Sequence, residues 1–466
     1  MGLKAVMISL ATAFAATGAG AQEPAPDAPT LSDAQRGAVN QLIDAGLKDG
    51  RAYEIVESLT TEIGPRLGGS EAEARARDWA VAKLKAMGFK NVRIEPFEMP
   101  FWGRVSEAAE IVSPFPQALA VTALGGSIET PPGGVEGEIV RFATLPDLVA
   151  APMTGLEGKI VFVDEPMART QDGSGYRTAV QKRRQAHIEA DKRGALAAII
   201  RSVGTASRRF PHTGASVSGN GASMLPVAAV SNPDADQLAR AMAMSDEPVV
   251  VRLKIQVETA AMVSSGNVIG EIPGKTDELI VVGGHLDSWD LATGAIDDGA
   301  GVAITMAAAK LVDELPGRPT RTIRVVLWGA EEVGLLGARA YAEKHKDDLD
   351  RHIVASESDF GAGVVYQFDT RFSAAALPKA KPMAEALRRL SISPGTNEAF
   401  GGPDVIPLRE AGVPVVTLRQ SGWDYFDLHH TPDDTLDKID PAALQQNVAA
   451  WAAFIYMASE MDGDFR

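Results

Sequence analysis

Two short stretches of the chain concentrate metal-ligating and acid–base side chains. One runs Gly284-His285-Leu286-Asp287-Ser288-Trp289-Asp290 and continues to Asp297-Asp298-Gly299; the other is Ala330-Glu331-Glu332-Val333-Gly334. With Asp359 and His430 further on, they offer hard or borderline ligands and one spare glutamate. That is the inventory of a hydrolase that holds two cations and keeps a free carboxylate to take a proton from water. His285 and Asp287 point to the same side of extended chain, so the Asp287 carboxylate is expected to accept the second imidazole N–H of His285. Asp297, opening a glycine-rich turn, can offer one oxygen to each cation. His285 and Asp359 would complete one site, and Glu332 and His430 the other, leaving each an open position for a shared water. Adjacent glutamates diverge in a non-helical turn. Glu331 is thereby left as general base, taking a proton from water and passing it to the leaving amine.

Each fragment alone is weak. His-x-Asp is commonly a surface or capping pair, Glu-Glu a solvated face, and Asp-Asp-Gly a turn. Their placement joins them. From Leu279 the pattern alternates strands (Leu279–Val282, Thr322–Leu327, His352–Glu357, Val413–Leu418) with helices (about Gly299–Glu314, Leu335–Lys344, Pro382–Leu390). A final helix is capped by Asp440, with Pro441 at its first position, and runs to about Met461. Such alternation implies an α/β fold, a mostly parallel twisted sheet flanked by helices. Ligands in such sheets collect beyond the carboxyl ends of the strands, where every candidate residue falls.

Upstream, Ser32 or Asp33 caps a helix to about Leu47, a second helix covers Ala52–Thr61, and Ser70 caps a third over Glu71–Met87. Residues 109–262 have another texture, rich in Gly and Pro. Short β-type runs lie at Ile139-Val140, Lys159–Val163, Ala198–Ile200 and Val227–Val230, with one amphipathic helix near Thr178–Arg193. This reads as a β-rich domain inserted between 32–108 and 263–466, which together form the catalytic domain. His187, with Lys182, Arg183 and Arg184, is expected on an exposed basic face, and His345 and His352 are expected to be solvated. Pro211-His212-Thr213-Gly214 reads equally as a plain turn or as a loop reaching the active site.

The 466 residues, 45% hydrophobic and 23% charged, suit a globular protein of two or three domains. Lys4, the apolar run Ala5–Ala16 and Ala19-Gly20-Ala21 read as a signal peptide over 1–21, so export to the periplasm or outside is expected, with 22–31 a disordered linker. No internal run is long and apolar enough for a transmembrane span. There is no cysteine, so any metal must be held by His, Asp and Glu. The formal net charge of −16 disfavours nucleic acid and anionic membranes as partners. Gly-x-Ser-x-Gly, P-loop and Gly-x-Gly-x-x-Gly motifs are missing, which leaves serine-hydrolase, nucleotidase and dinucleotide readings without support.

At these residues the chain resembles the co-catalytic zinc aminopeptidase and glutamate carboxypeptidase family, most of all its carboxypeptidase Q-like branch. The resemblance covers most of the chain. It rests on Gly64-Pro-Arg-Leu-Gly-Gly-Ser70, Thr130-Pro-Pro-Gly-Gly134, Ile200-Arg-Ser-Val203, Pro211-His-Thr-Gly214, Gly284–Asp290, Ala330-Glu-Glu332 and His429-His430-Thr431. It implies His285, Asp297, Glu332, Asp359 and His430 as ligands for two zinc ions, with Glu331 as base. It further implies a protease-associated domain for the insert, a homodimer, and dipeptides or short peptides as substrates. Manganese or cobalt would suit the same ligands. Some relatives place Tyr before the second-site His; here that position is His429, and His429 and Tyr425 are the two candidates to assist the oxyanion. Gly401-Gly402-Pro403-Asp404 either lines the substrate pocket or is a loop without contact. Competing readings on the same metal centre are an aminopeptidase and an N-acyl amino acid amidohydrolase. A different class would be an inactive, receptor-like peptide-binding protein, against which the intact ligand set and Glu331 argue.

Overall fold

The computed structural model describes residues 30–466 other than 218 and 220, together with Gly2. The expected signal peptide and most of the expected linker lie outside the described residues; at the linker's end, Leu31 is buried in the core. Three helices open the described chain: α1 (Asp33–Gly46), α2 (Arg51–Glu62) and α3 (Glu71–Ala86). The Ser32 hydroxyl accepts from Gln35 N while the Gln35 side chain returns to the Ser32 backbone, a reciprocal cap that sets the start of α1.

The longest elements are ones the hydrophobic pattern did not reveal. β1 (Lys90–Ser113) will pair antiparallel with a later strand, β8, along nearly its whole length. Its alternation slips at irregularities between Met99 and Phe101 and between Arg104 and Ser106, so no single period of two runs through it. Short β2 (Gln117–Leu119) and β3 (Val121–Ala123) follow. Next come β4 (Val135–Phe142), α4 (Leu145–Ala150), β5 (Ile160–Val163), α5 (Ser174–Asp191), β6 (Ala197–Arg201), β7 (Val227–Val230) and α6 (Asn232–Met244). β4, β5, β6 and β7 are parallel neighbours, β3 pairs antiparallel with β7, and β4 joins β8 (Val250–Ile272). The joins expected after residues 108 and 262 fall inside β1 and β8, so both connections are hydrogen-bonded ladder.

The remaining strands are β9 (Leu279–His285), β10 (Thr322–Trp328), β11 (His352–Glu357), β12 (Val365–Arg371), β13 (Ser393–Pro394) and β14 (Val415–Gln420). Their order is β13-β12-β14-β11-β9-β10-β8; β14, β11, β9 and β10 run parallel, while β12 and β8 are antiparallel to their inner neighbours. The last strand starts two residues later than expected, at Val415. Pro414 lacks the N–H a ladder needs. In β9, Ile280 and Val282 pack on one face with α7 (Ala300–Asp313) and α12 (Pro441–Glu460), while Leu279 and Val281 pack on the other with Tyr341 of α8 (Leu336–Lys344). Helices on both faces explain why the strand is apolar at every position from Leu279 to Val282. α12 is apolar nearly all round because α1 and α7 cover it on either side. Among the described residues no helix is long and apolar enough to cross a membrane.

Three histidines depart from expectation. His352 is fully buried, its Nε2 2.9 Å from the Tyr341 hydroxyl, and His345 is half-buried against Glu95 at 3.0 Å. His187 is buried with Lys182 and Arg183, whereas Arg184 is exposed as expected. Ala179, Val180, Ala186 and Ala190 lie on that same stripe, and their burial carries the basic residues between them under cover.

Candidate metal centre

His285 closes β9, and its surroundings are built by its own sheet. Its backbone N–H donates to Asp298 Oδ2 at 3.0 Å. Gly284 permits this approach, since a Cβ there would meet the Asp298 carboxylate and the backbone of α7. His285 Nδ1 lies 2.9 Å from the Asp287 backbone carbonyl, whereas the nearest Asp287 carboxylate oxygen is 3.7 Å away. The expected carboxylate partner is therefore replaced by a carbonyl two residues on. Asp287 has turned its carboxylate to the next loop, where it accepts from the N–H groups of Glu331 at 3.0 Å and Glu332 at 3.3 Å. Asp287 thus sets the glutamate turn rather than the imidazole.

The other imidazole nitrogen, His285 Nε2, faces Asp297 Oδ1 at 3.0 Å and Asp359 Oδ1 at 3.7 Å. Asp297 sits in the kinked segment Ala295–Gly299 ahead of α7, where Asp297 and Asp298 both have non-helical backbone angles. The Asp434 carboxylate holds that segment by accepting from Ile296 N at 2.6 Å and Asp297 N at 3.2 Å. Arg66, 0% exposed, donates to the carbonyls of Leu286 (2.5 Å), Thr293 (2.6 Å) and Gly294 (2.8 Å), tying both ends of the β9–α7 connection together.

On the far side of Asp297, His430 Nε2 lies 3.3 Å from Asp297 Oδ2 and 3.0 Å from Glu332 Oε2. His429 stacks on His430 with ring centroids 3.5 Å apart, and its Nε2 is 3.6 Å from Asp297 Oδ2. By distance His429 joins Asp297 and His430 as a possible ligand, a role beyond the one its sequence position suggested. Tyr425, in α11 (Tyr425–Leu428) after α9 (Ala380–Leu387) and the short α10 (Ile406–Glu410), packs its ring 5.1 Å from that of His429. A narrow cavity of about 10 Å³ opens against Asp297, Glu332, His430 and Trp289. The loop 211–214 also arrives here: His430 Nδ1 is 3.2 Å from the Thr213 carbonyl.

The electrostatics are those of a cation site. Among the described residues no lysine or arginine comes within 4.0 Å of Asp297, Asp359, Glu331 or Glu332; their charged neighbours in that range are histidines. Glu332 Oε1 is buried without a hydrogen-bond donor. Burial pushes Asp297 upward, but contacts with His285 and His430 outweigh it and hold the carboxyl well below its usual range. Burial raises Glu331 well above the usual range, helped by Asp359, Glu332 and Asp287 against the pull of His285. Buried carboxylates with no lysine or arginine within 4.0 Å fit divalent cations, and His/Asp/Glu donors fit zinc; the buried Arg183 guanidinium reaches this cluster at His430 Nδ1, 3.4 Å away, and not at a carboxylate.

Asp434, Arg66, Asp298 and Glu357 were not singled out by spacing. Asp434 had a signal in Thr431-Pro-Asp-Asp434, just after His430, but it reads as a turn. The loop 401–404 is not without contact: Asp404 is fully buried, and its N–H donates to Glu357 Oε2 at 2.7 Å. Burial, with the nearby Asp359 charge, pushes Glu357 up to about 8.

The sheet with its cation site at the strand ends defines an α/β metallohydrolase. The model of peptidase family M28 matches residues 267–455. Carboxypeptidase Q of Mus musculus is 34% identical over 427 residues, covering 91% of this chain and 89% of the mouse protein. A solved M28 peptidase precursor from Shewanella amazonensis SB2B superposes with a TM-score of 0.90 at 49% identity, covering 93% of this chain and 98% of that one. BSAP, a zinc aminopeptidase from Bacillus subtilis, shares the fold with a TM-score of 0.64 at 21% identity, covering 89% of this chain and 98% of that one. The chain belongs to peptidase family M28, and it is a metallopeptidase.

Proposed function

We propose that the protein is an exported di-zinc exopeptidase that hydrolyses dipeptides or short peptides. The observation that carries this reading is the position of Asp297, whose two carboxylate oxygens face His285 Nε2 and His430 Nε2 at 3.0 and 3.3 Å. Such a carboxylate can serve two cations, one completed by His285 and Asp359, the other by Glu332 and His430. When bound, the cations supply Lewis-acid polarisation of the scissile carbonyl and lower the pKa of water. Glu331 is the proton carrier. Its backbone is pinned by Asp287, its side chain is half-buried at the site, and burial with the neighbouring carboxylates raises its affinity for a proton, which makes its carboxylate form a stronger base than that of an exposed glutamate. It takes a proton from the attacking water and delivers it to the departing amine nitrogen. His429 and Tyr425 flank the site on the α11 side and are assigned to the developing oxyanion.

In this reading 32–108 and 263–466 form the catalytic domain and 109–262 a protease-associated insert, and the protein works as a homodimer. Export rests on the Lys4–Ala21 pattern. Carboxypeptidase Q and zinc aminopeptidases among the similar proteins support exopeptidase action at one terminus or the other. The test is zinc content together with dipeptide hydrolysis, on wild type and Glu331→Gln side by side, followed by an N-acylated substrate panel. Two ions and turnover in wild type, with ions but no turnover in the variant, are expected. A protein that binds peptide without metal or cleavage would replace the enzyme by a binding protein. Cleavage that survives N-acylation would remove the aminopeptidase form, and faster cleavage of acylated amino acids than of dipeptides would favour an amidohydrolase.

A further inference from the structure

His430 is held in an unusual way. It lies in the left-handed backbone region (φ 61°), uncommon for a residue with a Cβ and costly unless its surroundings enforce it. The enforcement comes from the loop 211–214, more than 200 residues earlier in the chain. Thr213 N donates to the His430 carbonyl at 3.0 Å, and His430 Nδ1 returns to the Thr213 carbonyl at 3.2 Å. His212 Nδ1 lies 2.8 Å from the His429 carbonyl. One loop thus engages both members of the His-His pair and receives the imidazole N–H of the second.

The loop is itself braced by arginines. Arg104 of β1, paired with Asp290 at 2.9 and 3.0 Å, donates to Thr213 Oγ1 at 3.0 Å. Arg183 of α5, only 5% exposed, has no carboxylate within 4.0 Å among the described residues. Its Nη1 donates to the Thr213 carbonyl at 3.3 Å, sharing that acceptor with His430 Nδ1, which lies 3.4 Å from Nη1, and its Nη2 donates to the Tyr176 hydroxyl at 2.8 Å. A Cβ on Gly214 would collide with this guanidinium, so the glycine keeps the two in register.

We propose that Arg183 is a positioning residue for the second metal site: it fixes the Thr213 carbonyl, which fixes the ring and tautomer of His430, so that Nε2 presents its lone pair beside Glu332. The inserted segment then controls the affinity of one cation and leaves the other to the main sheet. This rests on the two-cation reading above. The chain's own logic supports it, since a ligating imidazole is oriented by the acceptor of its other N–H.

Zinc titration by calorimetry on the metal-free full-length protein separates the possibilities. Wild type must first show two ions, with His285→Ala and His430→Ala assigning them. Arg183→Met is expected to weaken the His430-dependent ion about 10- to 100-fold and the His285-dependent ion hardly at all. Arg183→Lys, which keeps a donor for the Thr213 carbonyl, should recover part of the loss. In the His430→Ala background Arg183→Met should have no further effect on the remaining ion. Equal affinities in wild type and Arg183→Met, or equal weakening of both ions, would overturn the inference while leaving the two-cation reading standing. A single ion in wild type would remove both. Should Arg183→Met fail to fold, Tyr176→Phe, which removes only the acceptor of Nη2, must weaken the same ion selectively or the inference falls.

Discussion

The two histidines of the centre make equivalent approaches to Asp297 but are supported differently. His285 extends a buried strand, its N–H is held by Asp298 and its ring by a carbonyl two residues on, all within one βα connection. His430 follows a four-residue helix, adopts a positive φ, and takes its ring partner from Thr213. One half of the centre is therefore a product of local chain and sheet, while the other forms only when two distant regions dock. In the two-cation reading proposed above, a site with such halves would lose one cation without losing its fold.

The largest expected effect is common to both halves. Glu331→Gln should lower turnover by about 10²- to 10⁴-fold with both ions retained, read by steady-state hydrolysis and metal analysis. Loss of an ion from that variant would move Glu331 into the ligand set. Asp434→Asn comes next. Because Asp434 holds the backbone of the shared ligand Asp297, both ions should weaken together, by about 10- to 100-fold, in contrast to the selective loss expected at Arg183. A selective loss would mean that Asp297 is not shared.

Gly284→Ala probes the His285 half alone. The added methyl meets the Asp298 carboxylate and the start of α7, and about 1–3 kcal/mol of stability should go, with the His285-dependent ion affected first. Thermal unfolding and zinc titration would read it; an unchanged melting temperature would show that α7 can retreat from the strand.

A pH slope is expected on the His430 half. Burial lowers His212 from 6.5 to about 3, so in that window the unfolded chain binds more protons than the folded one. Stability is then fully present above pH 6.5 and falls as acid is added towards pH 3, by at most about 1.4 kcal/mol per pH unit for one group. His212→Asn can keep a donor towards the His429 carbonyl and should flatten the slope of the metal-free protein between those limits, as measured by denaturant unfolding at a series of pH values. Parallel wild-type and variant curves would show that His212 is not the titrating group.

Much of the main sheet was legible because its signals are local. β9, β10 and β11 each carry a short apolar run, Leu279–Val282, Val325–Trp328 and Ile353–Ala355, and each run ends within a few residues of a candidate ligand. The β1–β8 ribbon was not legible. Its pairing joins residues as far apart as Lys90 and Glu271, and its irregular register hides the alternation that marks a strand. The inward turn of Lys182, Arg183 and His187 escaped for a related reason. A basic helix face reads as solvated unless the carbonyls and hydroxyls that will receive it are known, and those of Thr213 and Tyr176 are supplied by folding.

Sequence by itself determined the chemical inventory: which imidazoles and carboxylates exist, which lie at strand ends, and that a spare glutamate stands beside a ligand. Those facts follow from residue type and local periodicity, which short-range sterics and burial impose. Tertiary structure alone decided that Asp287 serves the glutamate turn, that Asp434 and Arg66 hold the Asp297 loop, and that Thr213 completes His430. Each is a hydrogen bond between groups distant in the chain, and its partner is chosen by which buried donor and acceptor are left unpaired once the sheet and the loops around it have closed.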